Sequence, residues 1–136
     1  MVDKLTKSAR SRHMARIRNT GTNAELVVRR VAHRAGYRFR IARSDLPGRP
    51  DVVFPRHHAV VFVHGCFWHR HEGCRRTSDP ATNVEFWRKK FAANVARDKT
   101  NLANLAALGW RTLVIWECET RDQGFVERQL REFLGP

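Results

Sequence analysis

The 136 residues carry 26 Lys+Arg against 13 Asp+Glu, a net charge of +13 and a pI near 11.3. A chain this long can bury a core of its own, and no apolar run approaches the roughly 18 residues that a membrane-spanning helix needs. The charge is lopsided, with 13 Lys+Arg and 3 Asp+Glu in residues 1–50; a polyanionic partner explains that bias, the plainer reading being a basic protein that is merely soluble.

The opening MVDKLTKSARSR is polar and basic with no apolar stretch of the signal-peptide kind, so the expected compartment is the cytoplasm. Residues 8–19 read as a helix with a thin Met14/Ile17 stripe and an almost continuous basic surface from Arg10, Arg12, Arg16 and Arg18. Too little of it is apolar to join a core, so residues 1–20 are assigned to an arm that orders on a phosphate backbone, and 21–136 to a single domain. Asn23 is the expected N-cap of a helix over 24–35, which buries Leu26, Val27, Val31 and Ala35 and ends at Gly36. Tyr37, Phe39 and Ile41 alternate with Arg38 and Arg40 as in a half-buried strand.

LPGRP reads as a loop, and DVVF and AVVFV as short strands joined by a PRHH hairpin turn. A ligand-rich loop follows. Thr82 with Glu85 fits a capping box for a helix running to Leu108, along which Trp87, Phe91, Val95, Leu102 and Leu105 keep helical period, and Gly109 closes it. WRTLVIWEC is another buried strand, and FVERQLREFL a last helix with Phe125, Leu130, Phe133 and Leu134 inward. The order is arm, then α-β-β-β-α-β, then α. That predicts an α/β architecture, helices around a mixed sheet.

Three constellations carry chemistry. If Phe54 pairs with Ala59, antiparallel counting sets Asp51 opposite Phe62, beside Val63 and His64. A carboxylate and a carbonyl oxygen at that edge are hard donors of the kind Mg²⁺ takes; Asp51 as a turn residue after Pro50 is the other reading. Asn94 and Asp98 share a helix face with Trp87, either as a wall facing DNA or as a solvated acid paired with Arg97 or Lys99. Cys66, His71 and Cys74 give C-x₄-H-x₂-C, and Cys118 completes a closed Cys₃His set, of the type zinc prefers, if its strand runs parallel to 59–63. Buried inert thiols are the alternative. His64 and His69 are left over as candidate acid and base. Phe67 and Trp68, on a loop pinned by Cys66 and His71, read either as wedges for a base stack or, for Trp68, as packing over the zinc site.

HGCFWH, LPGRPD, the PAT-x-x-EFW segment (Pro80 to Trp87), the N-x-x-x-D pair and LGWR-x-L-x-x-WEC together resemble the very short patch repair (Vsr) DNA mismatch endonucleases, from about Ser8 to the last helix. The resemblance implies a restriction-endonuclease-like αβββαβ core and nicking of one strand 5′ to the thymine of a T·G mismatch left by deamination of 5-methylcytosine. It implies that Asp51 and the main-chain oxygen of Val63 hold one or two catalytic Mg²⁺, with His69 the general base. His64, Asp98, Asn94 and Glu25 would complete the site. Zn²⁺ would be structural on Cys66, His71, Cys74 and Cys118, and Phe67, Trp68 and Trp87 would intercalate. The arm would cross the minor groove. The implied setting is a monomer on double-stranded DNA in the bacterial nucleoid, linked to a DNA cytosine-5 methyltransferase and to repair polymerase and ligase.

Position 63 is Val where the family usually has Thr, and His71 to Cys74 is one residue longer than its pattern. The acid-x-Lys pair of the wider superfamily is absent from AVVFVH, so histidine would stand in for lysine. The competing functions are a zinc-stabilised DNA-binding module without catalysis, a sequence-specific restriction-type nuclease, and an RNA-binding protein.

Overall fold

The computed structural model describes residues 23–75 and 77–136, so the basic arm with Arg10, Arg12, Arg16 and Arg18 lies outside the described residues. Helix α1 (Asn23–Arg34) is followed by strand β1 (Val52–Phe54), strand β2 (Ala59–His64), a one-turn helix α2 (Cys66–His69), the long helix α3 (Val84–Ala107), strand β3 (Arg111–Trp116) and helix α4 (Gln123–Leu134). Among the described residues the strands form one mixed sheet in the order β1-β2-β3. β1 runs antiparallel to β2 in the register inferred from the sequence, Phe54 against Ala59, and β3 runs parallel to β2 from Ala59↔Arg111 to His64↔Trp116. None of the helices described is long and apolar enough to cross a membrane.

Alternate residues of these strands feed two cores, as the two-residue repeat of a strand requires. Val52, Phe54, Val61, Val63 and Ile115 face α1 and α4, packing with Val28, Val31, Val126 and Leu130. Val53, Val60 and Phe62 face the other way, onto Leu105 and Leu102 of α3. Both faces are covered, which is why DVVF and AVVFV read as continuous apolar runs rather than alternating ones.

Several sequence expectations are corrected. The strand over 37–41 shrinks to one antiparallel bridge, Arg40 with Val53, closed by two backbone hydrogen bonds of 2.8 and 2.9 Å. Ala42, left-handed at φ 60°, and Pro55, which has no N–H to donate, stop the ladder on either side of that bridge. PRHH does join the β1–β2 hairpin as expected, in the form of a turn of 3-10 helix, Pro55–His57, with His58 left-handed. The Thr82–Glu85 capping box is not made: Asn83, left-handed at φ 54°, precedes α3, and Glu85 pairs with Arg88 instead. The buried face of α1 is turned relative to expectation, taking in Ala24, Glu25, Val28, Val31 and Ala32 and leaving Leu26 exposed. Gly109, at φ +87°, does close the α3 end, its N–H bonding the Ala106 carbonyl.

The α3 face makes a clear stability contrast. Leu105 is fully buried and Leu108, one turn on, is 58% exposed. Leu105→Ala should cost about 2–5 kcal/mol in urea unfolding, and Leu108→Ala no more than about 0.5 kcal/mol. Equal costs would mean that α3 does not cover the sheet.

Candidate active site and metal centre

Asp51 stands one residue before β1, at the sheet edge where β2 and β3 also end. Its Oδ2 accepts the Val63 N–H at 2.6 Å, so the predicted meeting of the two at this edge is made by a hydrogen bond. Beside it a cavity of about 270 Å³ is lined by Asp51, Val63, His64, His69 and Asp98, together with Arg49 and Asn101. His64 is the last residue of β2, whereas His69 comes from the end of α2 and Asp98 from the middle of α3. Ligand atoms of His64, His69 and Asp98 lie within 4.8 Å of one another. Four sequence-distant segments thus supply one pocket.

Electrostatics divide these groups. Burial pushes the Asp51 carboxyl up to about 8; the Val63 N–H pulls against this, the neighbouring Glu25 adds to it, and Arg29 opposes it weakly. Glu25 itself is 1% exposed on α1, its Oε2 accepting from Arg29 at 3.1 Å. Burial pushes His64 down to about 4, with His69 adding to the effect and Asp98 opposing it, so this imidazole is neutral near pH 7. It stacks face to face on His69, ring centres 3.9 Å apart. His69 Nδ1 lies 2.6 Å from Asp98 Oδ2. That partner fixes the Nδ1–H tautomer and leaves Nε2 as the acceptor, the arrangement a general base needs. Asp98 therefore pairs with a histidine, not with Arg97 or Lys99.

Asn94 does not line the cavity. Its Nδ2 donates to the Trp68 carbonyl at 3.4 Å and its Oδ1 accepts from Arg97 at 3.3 Å, so it ties α3 to α2. Arg49 and Asn101 were not anticipated from the sequence. Asn101 lies three residues past Asp98 and seven past Asn94, so extending that helix stripe one turn would have found it. Arg49 sits at φ 50° in LPGRP, a turn whose proline and glycine were the only hint.

The thiols gather just behind this pocket. Ligand atoms of Cys66, His71, Cys74 and Cys118 lie within 4.8 Å of one another, with Cys118 Sγ 3.5 Å from His71 Nδ1, and none of the cysteines is in a disulfide. Burial pushes the Cys66 thiol up to about 12 and raises Cys118 as well. Three thiols and an imidazole converging in this way are a soft, four-donor set that can hold a metal ion such as zinc. The parallel pairing of β2 and β3 delivers Cys118 to the others, as the sequence reading required. The Thr77 hydroxyl, within bonding distance of the Cys66 and His71 carbonyls at 3.3 and 2.7 Å, braces the loop. Trp116 connects the two clusters: His71 stacks on it at 4.2 Å and His64 meets it edge-on at 5.2 Å.

Phe67 and Trp68 lie on α2 itself, a helical turn rather than a loop, and are half-buried. Phe67 packs edge-on against Phe91 at 5.2 Å and Trp87 at 6.0 Å, and Trp68 leans on Trp87 at 5.8 Å. Arg70 lies over the Phe91 ring at 4.0 Å and pairs with Asp79 at 2.6 Å. Phe86, which the sequence reading passed over, is the most exposed ring here at 59%. Trp68 thus packs among aromatic rings.

The family model described as "DNA mismatch endonuclease Vsr" matches residues 2–76 of this chain. The chain is 48% identical over 136 residues, all of its own length and 99% of the relative's, to "Type II nicking enzyme V.XorIIP" of Xanthomonas oryzae pv. oryzae. It is 40% identical over 140 residues, 98% of its length and 88% of the relative's, to "DNA mismatch endonuclease Vsr" of Escherichia coli. To "Type II nicking enzyme V.NmeAIP" of Neisseria meningitidis it is 34% identical over 134 residues, 98% of its length and 95% of the relative's.

The raised Asp51 carboxyl makes stability depend on pH with a definite sign. Unfolded, Asp51 ionises near the ordinary 3.8; folded, it keeps its proton to about 8. The folded state holds the extra proton in between, so its stability falls as pH rises through that window. His64 has the opposite sign between about 4 and 6.5 and is common to both proteins compared. Without added divalent cations, Asp51→Asn should therefore be more stable than wild type at pH 8, with the difference closing as pH falls to 4 in urea titrations. A difference independent of pH would return the Asp51 carboxyl to water.

Proposed function

Because the chain belongs to the Vsr family of DNA mismatch endonucleases, we propose that it nicks one strand of duplex DNA 5′ to the thymine of a T·G mismatch and so opens very short patch repair. The observation that carries the chemistry is the convergence of Asp51, His64, His69 and Asp98 on one cavity, with His69 Nδ1 anchored 2.6 Å from Asp98. A zinc-stabilised binding module would have no use for that pairing.

Asp51, with Glu25 beside it, is a buried acid facing a second acid, an arrangement that suits a hard divalent cation. In this reading Asp51 and the main-chain oxygen of Val63 hold one or two Mg²⁺. When bound, magnesium supplies charge neutralisation at the scissile phosphate and the leaving oxygen. His69 takes the proton of the attacking water at Nε2, and Asp98 stabilises the imidazolium that results. Attack in line at phosphorus breaks the bond to the 3′-oxygen and leaves a 5′-phosphate and a 3′-hydroxyl. His64, uncharged in its buried position, offers a hydrogen bond to the phosphate. Asn94 acts by fixing α2, and so His69, through the Trp68 carbonyl.

Cys66, His71, Cys74 and Cys118 hold a structural Zn²⁺ that clamps the α2 loop. Phe67, Trp68 and Trp87 stand on the clamped segment and the start of α3, where they form a preassembled wedge. A mispaired step is cheaper to unstack than a matched one, so such a wedge favours the lesion. The residue 1–20 arm, with Arg10, Arg12, Arg16 and Arg18, tracks the backbone ahead of the 21–136 endonuclease domain. The enzyme acts as a monomer, downstream of a cytosine-5 methyltransferase and upstream of repair polymerase and ligase, and no partner beyond DNA is needed for the nick.

Two measurements test this. A labelled duplex with a single T·G pair should be nicked in one strand only when Mg²⁺ is present, and Asp51→Ala should slow that nick about a thousandfold or more while leaving binding intact, since a catalytic cation supplies several kcal/mol. Matched duplex nicked as fast as the T·G duplex would overturn mismatch specificity, and an active Asp51→Ala would remove Asp51 from the chemistry. Zinc removal with a chelator, or Cys118→Ala, should lower the melting temperature by about 10 °C. A melting temperature and zinc content that both stay put would dismiss the Cys₃His assignment.

A further inference from the structure

At the end of the sheet away from the catalytic pocket, a groove of about 560 Å³ opens between the segment after α1, the β1–β2 connection and the end of α4. Six residues of β2 separate the two ends, roughly 17 Å at a strand's rise per residue. Arg38, Arg40, Arg56 and Arg131 line the groove with Tyr37, His57 and Pro136; no Asp or Glu side chain does, and the main-chain carboxylate of Pro136 is outnumbered by the four guanidiniums. All four arginines are exposed. Among the described residues, an ion pair reaches Arg131, from Glu127 at 3.1 Å, but none reaches Arg38, Arg40 or Arg56.

The walls are tied together, so the groove is built before any ligand arrives. The Tyr37 hydroxyl donates to the Gly135 carbonyl at 2.5 Å, and its ring meets His57 edge-on at 5.7 Å and Phe54 at 6.3 Å. Arg111, at the start of β3, donates to the Phe133 carbonyl at 2.6 Å and to the His57 carbonyl at 3.2 Å. These bonds join the C-terminal segment, the β1–β2 connection and the sheet into one frame. Four guanidiniums round one opening repel each other, a cost that folding does not require and that a run of negative charge removes. Arginines that are exposed and spread along a groove, rather than converging on a buried point, suit successive phosphates of a strand better than a single small anion.

We propose that this groove is a second binding site for the DNA phosphate backbone, so that one molecule holds a second duplex segment while the catalytic pocket engages the first. The inference rests on DNA being the substrate. It adds a contact surface that the nicking reaction itself does not use.

The test compares the full-length protein with Arg38→Glu/Arg56→Glu, two exposed positions outside the catalytic and metal sites. Short T·G duplex is titrated at low salt, with mass followed by analytical ultracentrifugation and nicking by single-turnover assay. Wild type should take up a second duplex per chain, with a log–log salt slope of about −3 for three phosphate contacts. The variant should lose the second duplex at least about tenfold in affinity, the scale of a few lost phosphate contacts, and nick at an unchanged rate. Equal second binding in both proteins, no second binding in either, displacement of the second duplex by inorganic phosphate alone, or a parallel loss of nicking in the variant would each overturn the proposal. Should the double variant melt below wild type, Arg56→Ala, on the exposed turn, gives the same comparison. Two duplexes bound but no nick on either would count against the endonuclease reading and leave the groove standing.

Discussion

The parallel pairing of β2 with β3 is the constraint on which both clusters depend. In that register His64 sits beside Trp116, so the chain beyond each strand leaves the sheet at one edge. Cys66 and Cys118 therefore meet, although 51 residues separate them in the chain. An antiparallel β3 would have sent Cys118 to the far end and left three thiols with no common centre. β1 completes the edge, because its antiparallel register carries Asp51 back to Val63. Parallel strands need both faces covered, and α1 with α4 on one side and α3 on the other provide that cover.

The one-turn helix α2 is shared by everything at this edge. Cys66 at its start belongs to the thiol cluster, His69 at its end belongs to the cavity, and Phe67 and Trp68 between them belong to the aromatic cluster. Four residues cannot hold a helix by themselves. What fixes this turn is tertiary: Asp98 on His69, Asn94 on the Trp68 carbonyl, Phe91 against Phe67 and the Thr77 hydroxyl at the Cys66 carbonyl. The thiol cluster and His69 therefore lie within one helical turn of each other, and Trp116, touching both His71 and His64, is a second link between them.

The chain is strongly basic, yet among the described residues the least exposed charged one is the acid Glu25, set against Asp51 and paired with Arg29. Burying two acids side by side costs stability wherever both would ionise. Most of the described Lys and Arg residues meanwhile stay exposed, including those at the end of the sheet remote from the cavity.

The strands, the hairpin register and the pairing of Cys118 with Cys66, His71 and Cys74 were legible in the sequence. β-branched runs, antiparallel counting and ligand chemistry act over short distances in the chain or leave few ways to be satisfied. The family was legible too, because its motifs are contiguous. Long-range packing hid the rest. The strand over 37–41 had a correct two-residue alternation, but its partner edge offered room for one bridge only. Leu26 had the right period for burial, yet the rotation of α1 was set by the sheet beneath it, which drew Glu25 inward instead. Trp68 could not be oriented from the chain, since its neighbour Trp87 comes from a helix some twenty residues on. Residue type and spacing thus determined which groups this protein has for its chemistry; only the packing of α1 and α3 on the sheet decided which of them face one cavity, because side-chain direction across a fold is a property of contacts that no local stretch encodes.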